Sequence, residues 1–258
     1  MSLYAIEIEP EVREWLERLP AKHFLKVDEY AGLLAERAAE LGEPYSRYLG
    51  DGVRELRLGL DGVPIRITYW LTPHRTAVLL TVFPKTQRRE SEEVNRARHA
   101  KKVCEADHGP AHQEFLRTVK REPKGKRSDV SHSRWKTLRE RKLTEAATEP
   151  AEVAEVRREI RLSMALAEAV YKRRANLGLT QSDLARRAGL SQAKISRIEN
   201  SDTVPTLPLL TRLADALDAV LHIDLGGERV GFHFTPRASE ESARGDRAST
   251  EEWCRAAS

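Results

Sequence analysis

Two cysteines in 258 residues, Cys104 and Cys254, cannot build a disulfide framework, and the second sits in a polar tail. Long apolar runs are missing as well. None approaches the roughly 18 residues that cross a bilayer, which removes a membrane partner from the candidates. The opening MSLYAIEIEPEVREW lacks the basic-then-apolar order of a secretory signal, so a cytoplasmic protein is the expectation. One spacing could suggest metal ligands on a helix. Cys104, His108 and His112 recur every four residues, but Gly109 and Pro110 break any helix that would bring them together, and neither a metal nor another cofactor is expected.

Charge of one sign is not in excess overall, at a formal +4, yet it is unevenly placed. Residues 1–43 carry five basic and ten acidic side chains, whereas residues 44–89 carry eight basic and three acidic. Opposite faces of one domain are therefore expected to differ in sign. The length leaves room for two domains, each with its own core, and a charged content of 33% fits a soluble, helix-rich chain.

The clearest pattern runs from Leu179 to Asn200, LTQSDLARRAGLSQAKISRIEN, and reads as two short helices around a tight turn. Thr180 with Asp183 three residues on makes a capping box, and Leu184, Ala185 and Ala188 continue one apolar stripe. Gly189 suits the left-handed residue that ends a helix, and Ser191 caps the next. There Leu190, Ile195 and Ile198 share one side, so Ala193, Ser196, Arg197 and Asn200 face outward, with Gln192 at the leading edge. Such a helix fits the major groove of DNA, where Gln or Asn pairs with adenine and Arg or Lys with guanine or phosphate. From Tyr171 to Asn200 seven basic side chains stand against two acidic ones.

These residues resemble the XRE family of helix-turn-helix domains, over about Tyr171 to Leu225 and most specifically in TQSDLARRAGLSQAKISRIEN. The resemblance implies sequence-specific binding of operator DNA by a homodimer on a palindrome. It marks Gln181 as a phosphate contact and Ser191, Gln192, Ala193, Lys194, Ser196, Arg197 and Asn200 as the DNA-binding surface.

Earlier in the chain, a short strand at Leu3 to Ile8 precedes a helix from Pro10 to Leu19 and a second from about Ala21 to Leu41. From Val53 the period changes to two. In VRELRLGL, Leu56, Leu58 and Leu60 share one face and Glu55 and Arg57 the other, and Asp61-Gly62 is a hairpin turn. In PIRITYWL, Ile65, Ile67, Tyr69 and Leu71 go one way and Arg66, Thr68 and Trp70 the other. The run TAVLLTVF reads as a central strand, and a helix follows from about Glu90 to Glu105. An antiparallel meander with two helices on one face leaves a groove carrying Arg57 and Arg66 on the other. Cross-strand pairing of these arginines with Glu55 is the plain structural alternative to chemistry.

Helix hairpin, GVRELR, PIRITY and VFPKTQRR in this order resemble the RelE/HigB toxin superfamily over about residues 3–105. The resemblance implies cleavage of mRNA in the ribosome without metal or cofactor, the 2′-hydroxyl attacking the adjacent phosphate while cationic side chains hold the developing charge. It marks Arg57, Arg66 and Lys85, with Tyr69, as catalytic, and Arg54, Arg88 and Arg89 as RNA contacts. Relatives commonly carry two lysines after the last strand, where this chain has Lys85 and Thr86. No general base stands out, and His99 is the nearest candidate.

The expected organisation is an α+β RelE-like domain over 1–105, a helical hairpin on an antiparallel sheet, then a basic linker over 106–134 with a helical piece around Gln113 to Val119. A HigA-like antitoxin follows over 135–235, with an all-α XRE-type helix-turn-helix core at 171–225 and a C-terminal β-hairpin, and then a disordered tail over 236–258. On the long helix from Pro150 to Asn176, Val153, Val156, Ile160, Met164, Ala167 and Tyr171 form the core stripe, and Leu162 and Leu166 are spare positions for docking on the toxin-like domain. The expectation is a single-chain toxin-antitoxin protein that represses its own operator and masks its toxin by an intramolecular contact. The alternative is a DNA-binding regulator with a dead toxin-like scaffold.

Overall fold

The computed structural model describes residues 3–85, 90–106, 109, 111, 113–117, 132–224 and 231–237. A first strand, β1 (Ala5–Ile8), leads into α1 (Pro10–Arg18) and α2 (Ala21–Arg37), which ends in a 3-10 turn at Ala38–Glu40. Pro10 opens α1 where its missing N–H has no partner to lose. Strands β2 (Ser46–Gly50), β3 (Val53–Leu60), β4 (Val63–Leu71) and β5 (Thr76–Pro84) form an antiparallel meander, and β1 pairs with β5 in parallel. Asp61 and Gly62, both at positive φ, make the two-residue turn from β3 to β4. The inner face packs Leu56, Leu58, Ile67, Tyr69 and Leu79 against α1 and α2. On the outer face α3 (Glu90–Ala106) covers Trp70, Val78 and Leu80 with Ala100 and Cys104, so the groove expected there is partly filled.

Three features of the sheet differ from the sequence expectation, the first being that it is mixed rather than antiparallel, since β1 runs parallel to β5. Strand β2 was not foreseen, because SRYLG has no period-two pattern and sits at the sheet edge. In the stretch expected to be a spacer with a helical piece, Glu114–Phe115 is instead a strand, β6, and Ser133–Trp135 is β7. Strand β7 pairs antiparallel with β1, placing Trp135 opposite Ile6, and β6 pairs with β7 in parallel. Burial of aromatics drives this: the Phe115 and Trp135 rings meet edge-on at 5.9 Å, and Phe24 lies 6.0 Å from Trp135. The resulting sheet order is β2-β3-β4-β5-β1-β7-β6.

The C-terminal half comprises α4 (Leu138–Glu145), α5 (Ala151–Asn176), α6 (Gln181–Ala188), α7 (Gln192–Glu199) and α8 (Leu207–Ala216). A hairpin of β8 (Ala219–Asp224) and β9 (Gly231–Pro236) closes it. The expected tail lies outside the described residues but for Pro236 and Arg237. Helix α5 serves both halves. Its first part packs Val153, Val156, Ile160 and Met164 into the core of the α+β half, and its second packs Leu166 and Val170 into the helical core. This reverses the expected docking: Leu166 belongs to the helical core, and the stripe of Val153 to Met164 docks. Arg157 anchors the contact from 2% exposure, with Asp28 at 2.8 Å, Glu29 at 3.1 Å and Glu149 at 3.0 Å. A charge so deeply buried is tolerated only with such partners.

Candidate nucleic-acid interface

In α6 the Thr180 hydroxyl accepts from the Asp183 amide while the Asp183 carboxylate accepts from the Thr180 amide, completing the capping box. Gly189 leaves the helix at φ +60. The Ser191 hydroxyl accepts from the Lys194 amide at 3.2 Å and starts α7, whose Ile195 and Ile198 are buried. Gln192, Ala193 and Arg197 are exposed, and Lys194, Ser196 and Asn200 are half-buried. The Asn200 amide turns back on the Ser196 carbonyl at 2.8 Å and so closes the helix as well as facing its outer side. Gln192 donates to the Gln181 side chain at 2.8 Å, which brings the leading residues of the two helices onto one surface. Gln181 in turn donates to Glu199 at 2.8 Å, and Arg174 holds the same carboxylate with two nitrogens. Glu199, only 5% exposed, is thus a buried support for that surface, a role that spacing alone did not mark.

The arginines of the sheet are also brought together. Arg57 and Arg66 are direct cross-strand partners on β3 and β4, an arrangement that like charge disfavours. Glu55 relieves it, its Oε1 lying 3.7 Å from Arg57 Nε and 3.6 Å from Arg66 Nε. A second carboxylate, Glu43 from the loop before β2, stands 3.3 Å from Arg57 Nη1. The pair is therefore counter-charged, and Arg66 is only 4% exposed. Lys85 is exposed just past β5, its amide bonded to the Pro64 carbonyl at 2.8 Å. Tyr69 and Arg54 are not brought to this group. Tyr69 is buried in the core on the opposite face, 2.7 Å from the Ser46 hydroxyl, and burial raises the pKa of its phenol. Arg54, the cross-strand partner of Tyr69, reaches the Leu41 carbonyl at 3.3 Å and secures the 3-10 turn. Arg88 and Arg89 lie outside the described residues. His99 is exposed on α3, and burial pushes the Cys104 thiol up to about 12, far from a reactive thiolate.

Residues 170–220 match the helix-turn-helix family. They form a DNA-binding domain. Residues 14–102 match the family described as phage derived protein Gp49-like (DUF891), a toxin-related family, and each match covers less than half of the chain. Among solved structures, a mutant of the restriction-modification controller protein C.Esp1396I is 30% identical over 22% of this chain and 71% of that one, with a TM-score of 0.21. A comparison with curated proteins returned no match.

One run of contacts joins the helix-turn-helix domain to the sheet arginines. From Glu199 it passes to Arg174, whose guanidinium stacks 5.1 Å over the Tyr171 ring. The Tyr171 hydroxyl donates to Glu43 at 2.6 Å, and the other oxygen of Glu43 faces Arg57. Burial, with that bond to Glu43, pushes the Tyr171 phenol up to about 12, so it stays a donor at neutral pH. Tyr171, a residue of α5, thereby fixes the counter-ion of an arginine in the other half.

Proposed function

We propose that the protein is a single-chain toxin-antitoxin regulator. Its helix-turn-helix domain represses an operator, and its Gp49-like half is a RelE/HigB-type mRNA-cleaving domain held silent within the chain. The observation that carries this reading is the double duty of α5, which completes the core of both halves while the leading residues of α7 stay exposed. Arg57, Arg66 and Lys85 would stabilise the charge that builds on a phosphate attacked by the neighbouring 2′-hydroxyl. Silencing follows from Glu43 and Glu55, which occupy the arginines in place of a phosphodiester, and mRNA on the ribosome would be the partner once they are displaced. A homodimer on the operator is supported by the exposed Val220 and Ile223 of β8, at 47% and 39%, which offer an apolar strand to a second copy.

The test uses the full chain, because β7 and α5 complete the N-terminal half. The intact protein should protect a site upstream of its own gene and repress a reporter there without slowing growth. Chains relieved of both counter-ions by Glu43→Gln with Glu55→Gln should arrest growth, and adding Arg57→Ala should restore it. A second reading has its own support: because Glu55 contacts both arginines, the Gp49-like half would be a scaffold without activity. A soluble chain with both glutamates substituted that leaves growth untouched would favour that scaffold.

A further inference from the structure

The turn between β3 and β4 is fastened to the far end of the recognition helix. Gly59 donates its amide to the Asn200 carbonyl at 3.2 Å, and the Gly62 amide donates to the Asp202 carboxylate. Lys26 donates to the Ser201 carbonyl at 2.6 Å, and the hydroxyls of Tyr30 and Ser201 meet at 3.1 Å. Three successive residues after α7 are therefore held by the α+β half, and the turn cannot swing aside without breaking the bonds of Gly59 and Gly62. Arg197 leans against this turn: a β-carbon at Gly62 would stand 3.5 Å from its guanidinium nitrogens. Gly62, at φ +83, permits the close approach. Beside it the Asp61 carboxylate is 84% exposed, with His23 Nε2 at 3.0 Å.

We propose that the operator-reading surface is composite: the β3–β4 turn of the α+β half runs along the DNA backbone where Arg197 enters the groove, and Asp61 there limits affinity. The inference rests on α7 being the DNA-reading helix. An arginine bonded to a base or phosphate lies about 3 Å from the DNA. The turn packed against that guanidinium is then within the Debye length of about 8 Å at physiological salt, where a fixed negative charge repels the phosphates. Gly62 has no side chain to clash with the backbone, so the penalty is electrostatic rather than steric. Operator affinity thus depends on a residue of the half that does not itself read DNA.

The experiment measures binding of the full-length chain to its footprinted operator by fluorescence anisotropy, over a range of salt. Asp61→Asn and Asp61→Gly both remove the charge with residue types that accept φ +50. Each should tighten binding about threefold to tenfold at low salt, with the gain shrinking towards none as salt rises. Unchanged affinity in both, while Arg197→Ala still weakens specific binding, overturns the composite surface and leaves the reading of α7 standing. If Arg197→Ala also leaves specific binding unchanged, α7 is not the reading helix and the inference falls with it.

Discussion

The two basic surfaces of this chain are built in opposite ways. On α7 the side chains proposed to read DNA, Gln192 and Arg197 among them, are exposed, and the buried carboxylate behind them, Glu199, braces the surface from beneath. On β3 and β4 the carboxylates of Glu43 and Glu55 stand directly on the arginines. The first surface is open to a polyanion, whereas on the proposed reading the second would bind one only after its own anions are displaced. Counting basic residues cannot separate these cases, because the deciding quantity is where the nearest acid sits.

The contrast can be broken most severely at Arg157, which ties α5 to α2. Arg157→Ala leaves Asp28 buried without its cation and Glu29 with Arg161 alone, and should cost about 3 to 5 kcal/mol in urea denaturation. A loss below 1 kcal/mol would mean the halves do not depend on this anchor. Next, Gln192→Ala and Arg197→Ala should each weaken specific operator binding by about 1 to 3 kcal/mol, whereas Arg57→Ala and Arg66→Ala should leave it unchanged. Equal losses from both sets would erase the distinction between the surfaces. Removing one hydroxyl sharpens it: Tyr171→Phe frees Glu43 and should cost about 1.5 to 3 kcal/mol of stability as a lost bond to a charged group. A melting temperature identical to the parent would remove Tyr171 from the link.

The smallest effects are those of pH. Burial pushes the Asp28 carboxyl up to about 6 from 3.8, so between these values the native state binds more protons than the unfolded chain. Stability should therefore fall as pH rises through that window, and Asp28→Asn should flatten the slope. Burial depresses Lys26 to about 8 from 10.5, so here the unfolded chain binds more protons and stability should rise between those values. A slope unaltered by Lys26→Met would show that this ammonium is not desolvated.

The helical pair around Gly189 was legible because each signal is local: a cap, a left-handed glycine and a 3.6-residue stripe within one short stretch. The β3–β4 hairpin was legible for the same reason, and so was the pairing of Glu55 with the arginines. Strand β6, two residues long, is too short to show a period and exists because Phe115 reaches the Phe24 and Trp135 rings. Helix α5 was misread because both of its faces are apolar, and spacing does not say which core each will enter. The role of Glu43 was hidden since its partners, Arg57 and Tyr171, are distant in sequence. Tyr69 was placed correctly on the face away from Arg66, yet family likeness grouped the two, and the sheet now sets them apart.

The central claim, that one chain holds a DNA-reading half and a ribonuclease half silenced by its own contacts, is tested most directly by mapping mRNA ends in a translation reaction. Intact protein should leave the message whole, the chain carrying Glu43→Gln and Glu55→Gln should cut it, and adding Arg57→Ala should abolish the cuts. A doubly substituted chain that still binds its operator but leaves every message intact would contradict this.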